Sequence, residues 1–368
     1  ITMVQERIDP KTITLHNGPT LPVIQQIRIT GKKLLAPQVF PAPHLEIRES
    51  AGFNVSYTDK RHGFAGTYTT DFAEDDAHNI WMATENGLIR YDGNQYYVYN
   101  QTNGLPDMPE SSIVFDQQKR LWLVSDNGAY FIRNDSLFSI RSPEIDFSAL
   151  ACIKVQTDLL QRVWISSKLN GVICIEGSTI KVFDKRCGLP GNYFTSVYLD
   201  KKGNLFLASG DHGILLIEPK RMRMFFSGSK KMQFPAFLSL YEDEDGIWAG
   251  SFLNGMIRMG SKDTIRYSIN GKFNERIFDI KKAPGGIWIS CFSQALCYFN
   301  KKQLLIINDK NGLVNNFPYR IFEDGFNNLW VSSGISGFSR INENSFYLQN
   351  YSNPVIGFEK TVIPDNKK

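Results

Sequence analysis

The chain has 368 residues, of which 42% are hydrophobic, 13% aromatic and 21% charged. This balance excludes a disordered or collagen-like chain, and no apolar run approaches the ~20 residues of a membrane helix. With 41 Lys and Arg against 37 Asp and Glu, the net charge of +4 is too small and too evenly spread to mark a partner of nucleic acid or an anionic membrane.

In chain order, residues 1–52 come first and contain Pro10, Pro19, Pro22, Pro37, Pro41 and Pro43. Proline at this density argues against regular inner strands, so the segment reads as a proline-rich lead-in or linker. The start at Ile-Thr-Met reads as that of a mature or excised segment. Phe53 to Tyr57, followed by Thr-Asp-Lys-Arg-His-Gly-Phe, matches Lys181 to Phe183 with its Asp-Lys-Arg-Cys-Gly-Leu and reads as a strand lacking its own hairpin partners.

From there one unit repeats. Trp81, Trp122, Trp164, Phe206, Trp248, Trp288 and Trp330 are separated by 41, 42, 42, 42, 40 and 42 residues. Three residues after each anchor stands Thr84, Ser125, Ser167, Ser209, Ser251, Cys291 or Ser333. Six or seven residues after it comes Gly87, Gly128, Gly171, Gly213, Gly255, Ala295 or Gly337, suited to a turn with positive φ. Asp75, Asp116, Asp158, Asp200, Asp243 and Asp324 precede six of the anchors at Asx-turn spacing. Alternating runs between these marks read as four short strands: A ends near the Asp, B carries the Trp, C follows the Gly and D is an aromatic run such as Tyr96 to Tyr99. Four strands per ~40 residues make a propeller blade, and seven units predict an all-β, seven-bladed β-propeller of four-stranded antiparallel blades over residues 53–352. Phe53 to Tyr57 is expected to close the ring in blade seven, with the D-type run Phe346 to Tyr351 alongside or leaving it, and residues 353–368 form a tail.

Between blades recur Asn103-Gly104-Leu105-Pro106, Cys187-Gly188-Leu189-Pro190 and Asn311-Gly312-Leu313. Together with D-x-x-G-x-[IL]-W-[ILV]-x-[ST]-x-x-G-[LIV], this pattern resembles the two-component regulator propeller repeat over about residues 53–350. The resemblance implies an extracytoplasmic sensor region of a hybrid two-component system, commonly of gut Bacteroidetes. Such proteins often carry a second propeller and an immunoglobulin-like domain, with the kinase beyond the membrane. It further implies a place on the periplasmic side of the inner membrane, a polysaccharide-derived ligand and a homodimer formed through the full ectodomain.

Residues repeated in every blade serve packing and turns, so function is sought where the repeat breaks. In propellers the B–C and D–A loops converge on one face. The B–C loops here carry Glu85, Asn86, Asp126, Asn127, Lys168, Asn170, Asp211, His212, Phe252, Asn254, Gln294 and Ser336. The D–A loops add Arg61, His62, Lys185, Arg186, Asn192, Tyr193, Phe234, Phe273, Asn274, Arg276, Asn315, Asn316 and Tyr319. Amides, carboxylates and cations that hydrogen-bond vicinal hydroxyls, mixed with aromatic faces, suit a carbohydrate. Within strand A, Ser112, Ser196 and Ser239 give way to Asp71, Lys154, Asp279 and Arg320 in the other blades. These four charges are expected to face the central channel, either as an ion-pair network or as a charged recognition element.

The five cysteines, Cys152, Cys174, Cys187, Cys291 and Cys297, include no C-x-x-C pair, so neither a zinc site nor a dense disulfide framework is expected; only Cys291 and Cys297 are spaced for a bridge across a hairpin. The chain has no H-E-x-x-H, G-x-S-x-G, P-loop or G-x-G-x-x-G. No catalytic residue, metal or cofactor is therefore expected. The alternatives to a ligand sensor are a protein-interaction or dimerisation propeller, or a propeller lyase or glycoside hydrolase in which carboxylates such as Asp126 and Asp211 meet across the pocket.

Overall fold

The computed structural model describes residues 3–8, 12–17, 22–47, 55–64, 66, 68–109, 112–143, 145–147, 151–225, 236–269, 275–292, 294–301, 303–342 and 363–364. It is a seven-bladed propeller built almost wholly of strands. The inner strands of blades one to seven are Thr69–Glu74, Ser112–Phe115, Cys152–Thr157, Phe194–Leu199, Phe237–Asp243, Ile277–Ala283 and Pro318–Glu323. Each pairs antiparallel with the strand bearing the anchor, and the third and fourth strands follow in order outward.

The anchor does more than fill space. In six blades an Asp opens the A–B turn and uses one carboxylate oxygen to accept from backbone N–H groups, and in five of these it offers the other to the indole. Trp81 Nε1 donates to Asp75 at 2.9 Å, Trp122 to Asp116 at 2.7 Å, Trp164 to Asp158 at 2.8 Å, Trp248 to Asp243 at 2.7 Å and Trp330 to Asp324 at 2.8 Å. In blade four, where Phe206 has no N–H, Asn204 Nδ2 takes the same oxygen of Asp200 at 2.8 Å. The glycine of the B–C turn is equally constrained: Gly171 has φ +76, and a Cβ there would lie 2.1 Å from the Phe183 carbonyl oxygen. Ala295 occupies the equivalent place in blade six at φ 79.

Apolar side chains on the two sides of each blade meet those of its neighbours, so the core is seven separate clusters, one between each adjacent pair. The last lies where the ring shuts. There Phe64 and Phe72 of the first blade pack on Trp330 and Phe338 of the seventh, with Phe64 and Phe338 in edge contact at 5.3 Å. Val55–Thr58 is the fourth strand of blade seven, paired with Phe338–Asn342, so an N-terminal strand completes the C-terminal blade. Phe53 and the run Phe346 to Tyr351 lie outside the described residues.

Most blades have five strands rather than the four expected, and the extra ones come from the proline-rich start, except that in blade five Ile363–Pro364, from the segment expected to be a tail, adds a sixth strand parallel to Met3–Arg7. Met3–Arg7 pairs on the outer edge of blade five, Ile13–Asn17 on four, Val23–Gln26 on three, Arg28–Lys33 on two and Gln38–Pro41 on one. Glu46–Ile47 then pairs with Val55–Thr58 on blade seven. This segment is thus a belt that visits the blades in descending order. Pro41 fits within such a strand, because an outermost strand has one row of backbone groups that needs no partner within the sheet, and Pro22, Pro37 and Pro43 fall between strands. Among the described residues blade six has four strands. All five cysteines are unbridged, Cys291 and Cys297 included.

Candidate ligand-binding site

One position per inner strand lies beside the channel, occupied by Asp71, Ser112, Lys154, Ser196, Ser239, Asp279 and Arg320. Three of these use their oxygens to bind the next blade. Asp71 accepts from Ser112 Oγ at 2.6 Å and from the Ile113 N–H at 3.1 Å, Ser112 Oγ accepts from the Val155 N–H at 3.2 Å, and Asp279 accepts from the Ile321 N–H at 3.2 Å. Each bond crosses a blade boundary at nearly the period of the repeat. The two carboxylates therefore act as latches between inner strands. Lys154 cannot accept, and in its blade Gln156 reaches across instead to the Val197 carbonyl.

Among the described residues no ion pair within 4.0 Å joins Asp71, Lys154, Asp279 and Arg320, so the ion-pair network, one of the two alternatives for these charges, is not formed by direct contact. They line a cavity of about 440 Å³ together with Glu74, Gln156 and Lys281. Lys281, two residues after Asp279 on the same strand, escaped the sequence reading; the period of two alone brings it to the same side. Burial pushes Asp279 up, but Lys281, Lys154 and Arg320 together hold its carboxyl below the ordinary carboxylate range. Enclosure by the ring, with Lys281 and Arg320 nearby, lowers Lys154 to about 8 despite the counter-pull of Asp279 and Asp71.

This shift has a sign that can be checked. A lysine with a free value near 10.4 holds its proton in the unfolded chain while losing it in the fold between about pH 8 and 10.4. The cost of enclosing the charge is thus fully present below pH 8, and stability rises with pH through that window. Lys154→Met is expected to raise the urea midpoint at pH 7 and to flatten the rise between pH 8 and 10. A lower midpoint at pH 7 would contradict it.

The cavity lies toward the carboxyl ends of the inner strands and the A–B turns, whereas the loops singled out from sequence lie at the other end. There, the starts of the inner strands of blades one, six and seven enclose a second pocket of about 350 Å³ lined by Tyr68, Thr70, Phe278, Phe292, Phe317 and Tyr319. Phe278 and Tyr319 rings meet at 5.2 Å, Phe278 and Phe292 at 5.8 Å, and Phe292 and Phe317 at 5.2 Å. Beside this cluster the Arg276 guanidinium sits 4.4 Å from the Phe252 ring centre and 5.4 Å from that of Phe292. Of the predicted loop residues this pocket gathers Tyr319, with Arg276 and Phe252 adjoining. Tyr68, Phe278, Phe292 and Phe317 were missed, although Phe278 and Tyr319 share one repeat position, the residue before the channel residue, in neighbouring blades.

The other predicted residues are not brought together with it. Glu85 belongs to a separate cleft of about 420 Å³ with Asn100 to Thr102 and Pro106 to Met108. Asn254 is buried, its N–H donating to Ser251 Oγ at 2.8 Å and its carbonyl accepting from Arg266 Nε at 3.0 Å, so it shapes a turn. Arg186 folds onto Asp184 at the one-turn helix Lys185–Cys187, as Arg61 and His62 fold onto Asp59. The Tyr193 ring covers Gly210, where a Cβ would come within 2.2 Å of it. Asp211 accepts from Ser209 Oγ at 2.8 Å and contacts His212 Nδ1 at 2.5 Å. Lys168 is exposed and Asp126 half-buried on their turns. Phe234, Phe273 and Asn274 lie outside the described residues. Among the described residues no three His, Cys, Asp or Glu side chains are grouped to hold a metal ion.

Solved structures resemble this ring closely enough to name the fold. An extracellular domain assigned to a hybrid two-component system of B. thetaiotaomicron aligns with 78% of the chain at 17% identity and a TM-score of 0.65. A second from the same organism aligns with 77% at 21% identity and a TM-score of 0.62. The fold is that of these extracellular domains. The chain spans about two fifths of their length, 42% and 39% respectively. Virginiamycin B lyase from Staphylococcus aureus shares the fold at 13% identity and a TM-score of 0.59, over 86% of this chain and 99% of its own. No family model matches the sequence, and no curated protein does.

Proposed function

We propose that this chain is the ligand-binding sensor region of a two-component regulatory system, placed outside the cytoplasm, and that it binds a polysaccharide-derived oligosaccharide at the loop face. The observation that carries the reading is the aromatic pocket. Four ring-bearing side chains from blades six and seven, with Tyr68 of blade one, form a concave apolar surface, and Arg276 stands at its side as a donor for hydroxyls. Concave apolar walls with a few polar groups are the usual form of a small-ligand site, and flat ring faces match the C–H faces of a pyranose. The shared fold with extracellular domains of hybrid two-component systems supports the sensor role. Ligand binding would shift the balance between two arrangements of a membrane-anchored, dimeric ectodomain, which a kinase elsewhere in the protein reads.

The test is a thermal-shift and calorimetric panel of neutral plant and host oligosaccharides, run on the native chain and on Phe292→Ala, with chromatography of the incubated sugars. At least one oligosaccharide is expected to raise the melting midpoint of the native chain, to lose that effect in Phe292→Ala, and to be recovered intact. A panel without response overturns the reading, and cleaved product replaces it with the lyase or hydrolase alternative.

A further inference from the structure

The channel cavity is a different site from the aromatic pocket, at the other end of the ring, and its chemistry is unbalanced in one specific way. Each oxygen of its carboxylates already holds at least one donor. Asp71 already holds the N–H groups of Phe72 and Ile113 and the hydroxyl of Ser112, and Asp279 holds the N–H groups of Ile280 and Ile321. Glu74 is taken by His78 on one oxygen and the Gly325 N–H on the other. Its cations are less fully engaged: Lys154, Lys281 and Arg320 come from three blades to one cavity, and none makes an ion pair within 4.0 Å with a carboxylate among the described residues. Arg320 is only 7% exposed, and its guanidinium rests 4.8 Å from the ring centre of Tyr319; burial works against its charge, but Tyr319, Asp279 and Asp71 outweigh it and hold its pKa above the ordinary value.

A latch between blades needs only an acceptor, as Ser112 demonstrates, so three cations are not required to hold the strands together. A guanidinium held by one phenol and by carboxylates beyond ion-pair distance keeps several N–H donors open, and a buried open donor costs folding energy unless something completes it. We infer that the channel is an oxyanion site, in which Lys154, Lys281 and Arg320 converge on a carboxylate, sulfate or phosphate group of a small ligand. Arg supplies planar, paired donors and the two lysines supply point charges, the usual division of labour around an oxyanion. About 440 Å³ admits a molecule larger than the anion alone. The groups facing Lys154 are Asp71, Glu74, Asp279, Lys281 and Arg320, with His78 held on Glu74. Binding therefore weakens with rising pH as Lys154, at about 8, gives up its proton.

The experiment measures melting midpoints and calorimetric affinity for sulfate, inorganic phosphate and citrate, each against chloride at equal ionic strength, from pH 7 to 9.5. One or more of the three is expected to stabilise the chain beyond chloride at pH 7 and to do so less at pH 9.5. Citrate alone responding assigns a carboxylate ligand; sulfate or phosphate alone assigns a tetrahedral ester. Lys281→Met, at a half-buried position outside the latches, is expected to keep the fold and to weaken binding about tenfold or more, the effect of one lost charge-assisted contact. A response equal to chloride for all three anions, or unchanged affinity in Lys281→Met, overturns the inference. Because the probes are not sugars and the variant is remote from Phe292, either outcome leaves the oligosaccharide reading independent.

Discussion

Trp122→Ala is expected to destabilise the propeller by about 3–5 kcal/mol, the usual cost of emptying a large buried aromatic site. The indole is 1% exposed, packs at 5.2 Å on Phe131 within the cluster between blades two and three, and donates to Asp116. The Asp116 oxygen it leaves behind keeps Arg120 Nε at 2.6 Å, so the penalty comes from the cavity rather than an orphaned carboxylate. Blade four shows what the site tolerates, since Phe206 stands there with Asn204 supplying the missing N–H. Trp122→Phe is accordingly expected to cost about 1–2 kcal/mol, one hydrogen bond and a modest volume. Urea denaturation of the pair checks both values. A Trp122→Ala chain within about 1 kcal/mol of the native one would show that the anchors are not the energetic centre of the blades.

A chain beginning at residue 48 is expected to lose most of its margin while keeping the ring topology. It removes the belt strands on blades one to five and with them Met3, 1% exposed, and Leu34, 5% exposed, which sit in the clusters between blades five and six and blades one and two. Each such loss resembles a large-to-small core change of about 2–5 kcal/mol, so the sum approaches the 5–15 kcal/mol of a whole domain. It also bares the outer edges of five blades, which are templates for strand pairing between molecules. The expected result is a melting midpoint lower by about 10 °C or more and concentration-dependent aggregation. A monomer melting within about 2 °C of the native chain would reduce the belt to decoration. A chain beginning at residue 68 also lacks Val55–Thr58 and Phe64, and should show no cooperative transition because blade seven cannot be completed.

The ring was legible because its determinants are repeated: an indole every 42 residues or so, with a turn Asp before it and a Gly after it, is visible without knowing what the indole touches. The Asp-to-indole bond was not visible. Asx-turn spacing explains only one carboxylate oxygen, and the second is assigned by geometry. The belt was hidden for a different reason. Arg28–Lys33 is exposed at every position, so it carries no alternation to read, and its pairing is through backbone atoms that every sequence possesses. At the site, Asp71 and Asp279 were recognised as departures from Ser but not as its functional equivalents, since only the register shows that an oxygen at this position meets the next blade's N–H. Tyr319 and Arg276 were found by type, while Phe278 was overlooked because aromatics in strands are common enough to vanish among those of the core.

Val55 pairs with Ile341, and the belt strands before it pair with blades that are made later than they are. During synthesis the first strands therefore emerge without partners. At 5–20 residues per second the ribosome needs roughly 15–60 s to deliver the strand that Val55–Thr58 awaits. Synthesis delivers the blades in the order one to seven, so the edge that receives Gln38–Pro41 becomes available first and the one that receives Met3–Arg7 fifth. Lysines and prolines on such strands, here Lys32, Lys33 and Pro41, disfavour pairing with another edge in that interval. The ring closes on a strand made long before its partner, Phe338–Asn342.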